Sequence, residues 1–258
     1  MAEAVKTRQK TDRDLAELRG RATAIRRHIV EMLAESASGH PGGSLSAVEI
    51  VTALYFGGFL RYDAKNPDWP DRDRFILSKG HGVPVQYAAL AEAGFLPHSE
   101  LMTLRKINSR LQGHPVLGTA PGIEASTGSL GQGLSIALGM ALAAKLDKKD
   151  VRVFCMMGDG ECQEGQVWEA AMAAGHHRPD NLVAIVDYNK FQLDGATNEI
   201  VSIEPFAEKW RAFGWAVREI DGHDMGGHGC ARLGARRART RMHRCTHDQR
   251  QRRQLHGR

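Results

Sequence analysis

The sequence has few cysteines, few aromatic residues and no long apolar run. Its four cysteines show neither the paired spacing of a zinc site nor the density of a disulfide-linked domain, which suits a reducing compartment. No stretch of about 18 apolar residues occurs, so we expect no transmembrane helix and no membrane partner. The charged N-terminal residues are not followed by an apolar signal region, so we expect a cytoplasmic protein.

Residues 226–258 lack Val, Ile, Phe, Tyr, Trp, Glu and Lys, and contain ten Arg with a single acidic residue, Asp248. Such a segment buries too little apolar surface to offset its ordering entropy, so we predict a basic, disordered tail. The apolar pattern is lost abruptly after Met225, where Arg, Cys and His replace it together, and we therefore favour translation out of frame as the origin of this segment over a genuine basic tail. We therefore divide the chain into a domain at 1–225 and a tail at 226–258.

The net charge of +5 comes from this tail. Residues 1–225 contain 25 basic and 29 acidic residues, so the body of the chain is mildly acidic. A nucleic-acid-binding function would rest on the tail alone, and we predict no nucleic-acid partner.

Apolar segments of strand and helix length alternate along residues 1–225. At the centre, 151–157 is apolar and of strand length, and 182–186 is a second apolar run rich in β-branched residues. Between them, small apolar residues recur at helical spacing up to Gly175. Such a crossover makes its two strands parallel. We therefore predict an α/β fold with a parallel sheet and helices on both faces, that is, three layers.

Asp159 lies within Gly158-Asp159-Gly160, just after the first central strand, and Asn189 follows the second strand. Ligands of open parallel sheets bind beyond the carboxyl ends of the strands. A carboxylate and an amide oxygen from neighbouring strand ends suit Mg²⁺ or Ca²⁺, and the glycines let the backbone approach an anion. Gly-Asp-Gly alone is common in ordinary turns, and the flanking strands with Asn189 make it specific.

This stretch resembles the thiamine diphosphate signature of transketolases, and the resemblance runs from about residue 12 to residue 225. It implies the diphosphate-binding domain of the thiamine diphosphate-binding fold. The implied activity is transfer of a two-carbon ketol group between sugar phosphates, with thiamine diphosphate and Mg²⁺ (or Ca²⁺) as cofactors.

The resemblance also implies roles for single residues. Asp159, Asn189 and the backbone carbonyl of Phe191 match the metal ligands, and Gly160 matches a backbone contact to the diphosphate. Gly128, Ser129 and Leu130 match the loop that lies against the cofactor's pyrimidine. Glu164 matches a glutamate that couples the active sites of a dimer.

Three loop histidines, each beside glycine, are the catalytic candidates: His40 in Gly-His-Pro-Gly, His81 in Lys-Gly-His-Gly and His114 in Gly-His-Pro. Imidazole can donate a hydrogen bond to a sugar or phosphate oxygen and can relay protons near neutral pH. The resemblance implies that all three face substrate or cofactor, His81 among the cofactor-binding residues.

The resemblance covers one domain only, and transketolases activate the pyrimidine with a glutamate on a second domain. We therefore expect a split enzyme whose partner is a C-terminal transketolase subunit that carries the pyrimidine-binding domain, assembled as a heterotetramer. The alternatives are another thiamine diphosphate enzyme (1-deoxyxylulose-5-phosphate synthase or the E1 α chain of a 2-oxoacid dehydrogenase) and an inactive fragment or basic nucleic-acid binder.

Overall fold

The computed structural model describes residues 12–226, residue 230 and residues 241–246. Its helices are α1 (Asp12–Ser36), α2 (Pro41–Leu45), α3 (Val48–Phe56), α4 (Val83–Glu92), α5 (Gln132–Leu146), α6 (Gly165–His177), α7 (Thr197–Ile200) and α8 (Phe206–Ala212). Its strands are β1 (Arg74–Leu77), β2 (Val153–Gly158), β3 (Leu182–Tyr188), β4 (Phe191–Gln192), β5 (Gly195–Ala196), β6 (Ala216–Asp221) and β7 (Arg241–Thr246). Single 3-10 turns or short 3-10 helices span Gly80–Gly82, His98–Thr103 and Glu161–Gln163.

Five strands form one sheet in the order β1-β2-β3-β7-β6, and every neighbouring pair is parallel. Successive residues of β2 point to opposite faces: Phe154 and Met156 join the core under α1, α3 and α4. Cys155 and Met157 join the core under α5, α6 and α8. The predicted α/β fold, with a parallel sheet covered by helices on both faces, is confirmed.

The first helix illustrates how the pattern of apolar residues sets these layers. Side chains of α1 at spacings of three and four are buried against the sheet's helical layer, while the charged side chains between them face solvent. The buried set is Leu18, Ala22, Ile25, Ile29 and Met32.

Across the described residues, no helix combines the length and apolar content that crossing a bilayer requires.

Part of the predicted tail is strand β7, which lies between β3 and β6. Met242 and Cys245 are buried, and the Arg244 guanidinium lies 3.7 Å from the centre of the Tyr188 ring. The expectation of disorder is therefore wrong for residues 241–246, because a strand paired on both sides satisfies its backbone whatever its side chains are. The rest of the tail, at 227–229, 231–240 and 247–258, lies outside the described residues. The domain division and the out-of-frame interpretation stay predictions.

Candidate functional site

Asp159 and Asn189 leave the sheet side by side. Strands β2 and β3 pair with Gly158 opposite Asp187, so the residues that follow them emerge at the same edge. The backbone N–H of Asp159 donates to the Asp187 carbonyl at 3.2 Å. Both candidate ligands are buried, with 1% exposure for Asp159 and 8% for Asn189. The sheet thus brings the two predicted metal ligands together.

The Asp159 carboxylate accepts three hydrogen bonds. Its Oδ1 accepts from the Gly160 N–H at 2.9 Å, and its Oδ2 accepts from the Lys190 N–H at 2.6 Å and from the Thr197 hydroxyl at 3.3 Å. Burial, followed by the charge of Asp187, raises the pKa of Asp159 to about 6. A cation beside this carboxylate would favour its charged form and offset both effects.

The residues around Asp159 fit a divalent cation with a bound diphosphate. Asn189 Oδ1 accepts from the Phe191 N–H at 2.9 Å, which folds the backbone tightly after β3. The set of a carboxylate, an amide and a backbone carbonyl offers the hard oxygens that Mg²⁺ and Ca²⁺ prefer. A Cβ on Gly160 would lie 2.9 Å from Gln192 Cβ, so only glycine keeps the backbone this close to the β4–β5 hairpin. The individual roles predicted for Asp159, Gly160, Asn189 and Phe191 stay predictions.

The three predicted histidines come from separate loops and lie together. The rings of His40 and His81 are 5.4 Å apart at an angle of 62°. His114 packs against the glycine-rich loop at residues 127–133, where a Cβ on Gly128 would lie 3.0 Å from His114 Cδ2. Burial, then the Lys79 ammonium and the other two histidines, lowers the pKa of His81 to about 4. Burial and then Arg105 also lower the pKa of His114.

Beneath these histidines lies a buried ion pair that the sequence analysis missed. Lys79 Nζ donates to the Asp187 carboxylate and, at 2.6 Å, to the Gly43 carbonyl of α2. The Ser46 hydroxyl donates to Asp187 Oδ2 at 2.5 Å. The network therefore joins the loop that carries His40, the loop that carries His81 and the end of β3. The only signal in the sequence was a lysine and an aspartate at strand ends.

A second missed residue, Glu161, anchors the glycine-rich loop. Its Oε1 accepts from the Ser78 hydroxyl and, at 3.0 Å, from the Gly131 N–H, while Oε2 accepts from the Gly158 N–H at 3.1 Å. Burial raises the pKa of this carboxyl. Because its partners lie just after β1, at the last residue of β2 and just before α5, Glu161 fixes these three places relative to each other.

The remaining predicted residues lie at the open side of the site. Within this chain Ser129 is exposed and Leu130 is half-buried, just before α5. Glu164 is exposed at the N-terminus of α6, beside Gly131. Phe191 is 40% exposed. The roles predicted for these residues stay predictions.

Comparison with known proteins supplies the family. The protein-family model described as "Transketolase, thiamine diphosphate binding domain" matches residues 19–246. The chain is 50% identical over 208 residues to a 6-deoxy-6-sulfo-D-fructose transketolase subunit of Clostridium sp. (strain MSTE9), covering 81% of this chain and 75% of that protein. It is 46% identical over 200 residues to an apulose-4-phosphate transketolase subunit of Phocaeicola vulgatus, covering 78% and 70%.

Solved structures agree with the sequence matches. Transketolase from Leishmania mexicana superposes with a TM-score of 0.82 at 32% identity, covering 93% of this chain. The chain spans only 37% of that transketolase. It belongs to the transketolase family of transferases, and residues 19–246 match the family's thiamine diphosphate-binding domain.

Proposed function

We propose that this chain, with a second polypeptide, catalyses the transfer of a two-carbon ketol group between sugar phosphates. It binds the diphosphate end of thiamine diphosphate and a divalent cation, Mg²⁺ or Ca²⁺. The observation that carries the proposal is the juxtaposition of buried Asp159 and Asn189 at the carboxyl edge of β2 and β3, in a chain of the transketolase family.

The chain's own residues would bind and orient the cofactor. Asp159, Asn189 and the Phe191 carbonyl would hold the cation, and the Gly160 backbone would contact the diphosphate. When bound, thiamine diphosphate supplies the nucleophilic carbon that carries a two-carbon fragment. The loop of Gly128, Ser129 and Leu130 would lie against the pyrimidine.

The histidines would bind the sugar and move protons. With a pKa of about 4, His81 is neutral near pH 7, so its ring offers one N–H donor and one acceptor. His40 and His114 are exposed beside it and would contact hydroxyl or phosphate oxygens of the donor and acceptor sugars.

The partner would complete the site. This chain spans 37% of a solved transketolase, and the similar proteins from Clostridium sp. and Phocaeicola vulgatus are named as subunits. The partner would therefore carry the pyrimidine-binding domain, in a heterotetramer with the cofactor between chains. Exposed Glu164 would contact a neighbouring subunit.

The test is a ketol-transfer assay on the chain purified with its co-expressed partner. Xylulose 5-phosphate, 6-deoxy-6-sulfo-D-fructose and apulose 4-phosphate serve as donors, with and without thiamine diphosphate and Mg²⁺. Asp159→Asn should abolish cofactor-dependent transfer, and Asp180→Asn, an exposed aspartate before β3, should not. Activity with pyruvate in place of a ketose would instead support a 1-deoxyxylulose-5-phosphate synthase or 2-oxoacid dehydrogenase.

A further inference from the structure

Two histidines and a glutamate converge where α1, the end of α4 and the 3-10 helix His98–Thr103 meet. His28 Nε2 lies 3.1 Å from Glu92 Oε1, and His98 Nε2 lies 2.9 Å from the same oxygen. The two imidazole rings are 5.1 Å apart. Among the described residues, this is the one group of three histidine, cysteine or acidic side chains with ligand atoms within 4.8 Å of each other.

The spacing of these atoms suits a small tetrahedral ion. Zn²⁺ binds imidazole nitrogen and carboxylate oxygen at about 2.0–2.2 Å, so its ligand atoms lie roughly 3.3–3.5 Å apart. The two distances to Glu92 Oε1 are shorter by a few tenths of an ångström, which small side-chain rotations accommodate. His98 is 54% exposed, so a fourth ligand position on its side would be open to a water molecule.

Two charged side chains lie next to the cluster, Arg21 beside Glu92 and Glu31 beside His28. Arg21 lies 3.3 Å from Glu92 Oε2 and leaves Oε1 to the histidines. Glu31 Oε2 lies 3.5 Å from His28 Nδ1. A carboxylate on the distal nitrogen is the usual outer partner of a metal-bound histidine, because it fixes the tautomer that exposes Nε2 as the ligand.

We propose that His28, Glu92 and His98 bind a transition-metal ion of the zinc class, in a site separate from the thiamine diphosphate site. The ion would tie α1 to the end of α4 and to the following 3-10 helix. Glu92 ends α4, whose ten residues place it about 13.5 Å from the start of that helix near His81. Two imidazoles and a carboxylate select Zn²⁺ over Mg²⁺ or Ca²⁺, which prefer oxygen alone.

The test is a Zn²⁺ titration of the full chain, free of polyhistidine tags, against a chromophoric chelator and without thiamine diphosphate. The described cysteines, Cys155, Cys162, Cys230 and Cys245, are buried and do not compete. We expect one Zn²⁺ per chain, and an affinity at least about 10-fold lower in His98→Gln. Co²⁺ should give a visible spectrum of tetrahedral coordination that His98→Gln abolishes.

His177→Gln is the matched control, since His177 is also an exposed histidine at the end of a helix. Without Zn²⁺, both variants should unfold at nearly the same temperature as the parent, because both side chains are exposed. With Zn²⁺, the midpoint should rise in the parent and in His177→Gln but not in His98→Gln. Equal Zn²⁺ affinity in the parent and in His98→Gln, or a loss in His177→Gln instead, would overturn the proposal.

Discussion

Lys79 and Asp187 form an ion pair that is almost completely removed from solvent, with side-chain exposures of 1% and 0%. The pair lies under the histidine loops and joins the turn after β1 to the end of β3. Burying two charges is costly, and their mutual attraction with further hydrogen bonds from Ser46 and to Gly43 offsets that cost. Its value is positional, because it holds the loop of His40 on the sheet.

Removing the lysine should be strongly destabilising. Lys79→Met leaves the Asp187 charge buried without its cation, and we expect the free energy of unfolding to fall by about 3–5 kcal/mol. Lys106→Met, which breaks the exposed pair with Glu35, should cost at most about 1 kcal/mol. Urea denaturation measures both. Similar losses in the two variants would show that burial of the Lys79 pair is not what matters.

His81 should make the protein less stable in mild acid. Its pKa is lowered to about 4, mainly by burial. Between about pH 6.5 and pH 4 the His81 side chain is therefore protonated in the unfolded chain but neutral in the folded chain. The stabilising contribution is therefore complete above pH 6.5 and is lost as the pH falls towards 4. Allowing for solvent screening, we expect His81→Gln to reduce the stability difference between pH 7 and pH 5 by about 1–2 kcal/mol.

An NMR titration of the His81 ring protons provides an independent check. The resonance absent from His81→Gln should not shift until the pH nears 4. A midpoint near 6.5 would contradict the buried environment described for this ring.

Two glycines should respond to alanine in opposite ways. A Cβ on Gly80 would lie 2.8 Å from Gly128 N, a backbone atom of the glycine-rich loop, so Gly80→Ala should cost about 1–3 kcal/mol and weaken thiamine diphosphate binding. Gly139 lies exposed within α5 with open space around its Cβ position, so Gly139→Ala should stabilise by about 0.5–1 kcal/mol. Thermal unfolding and cofactor titration compare them, and equal effects would refute the close approach at Gly80.

The histidine loops should matter to turnover more than to folding. His40→Ala or His114→Ala should lower kcat/KM for ketol transfer by about 10²–10⁴-fold if the ring moves a proton in the reaction. Both side chains are exposed, so the unfolding midpoint should hardly change. His177→Ala, on α6, should retain full activity. Steady-state kinetics of the co-purified complex give these values, and unchanged kcat/KM in His40→Ala would remove that residue from the mechanism.

The local pattern of the sequence was enough for much of the fold. The strand–helix–strand unit around Gly158-Asp159-Gly160 is a property of neighbouring residues, and its predicted strands at 151–157 and 182–186 overlap β2 (Val153–Gly158) and β3 (Leu182–Tyr188). Asp159 and Asn189 could be paired because a parallel crossover brings consecutive strand ends to one edge. The motif then needed no knowledge of distant contacts.

What the sequence by itself determined was therefore the layered architecture and the edge at which Asp159 and Asn189 meet. Only the tertiary structure decided which buried charges are partners, since Lys79 and Asp187 are 108 residues apart and Ser46 and Asp187 are 141 apart. It also decided that residues 241–246 form strand β7. The physical reason is the same in both cases: the stabilising contacts, a charge pair and a backbone ladder, depend on a partner that no local pattern of side chains encodes.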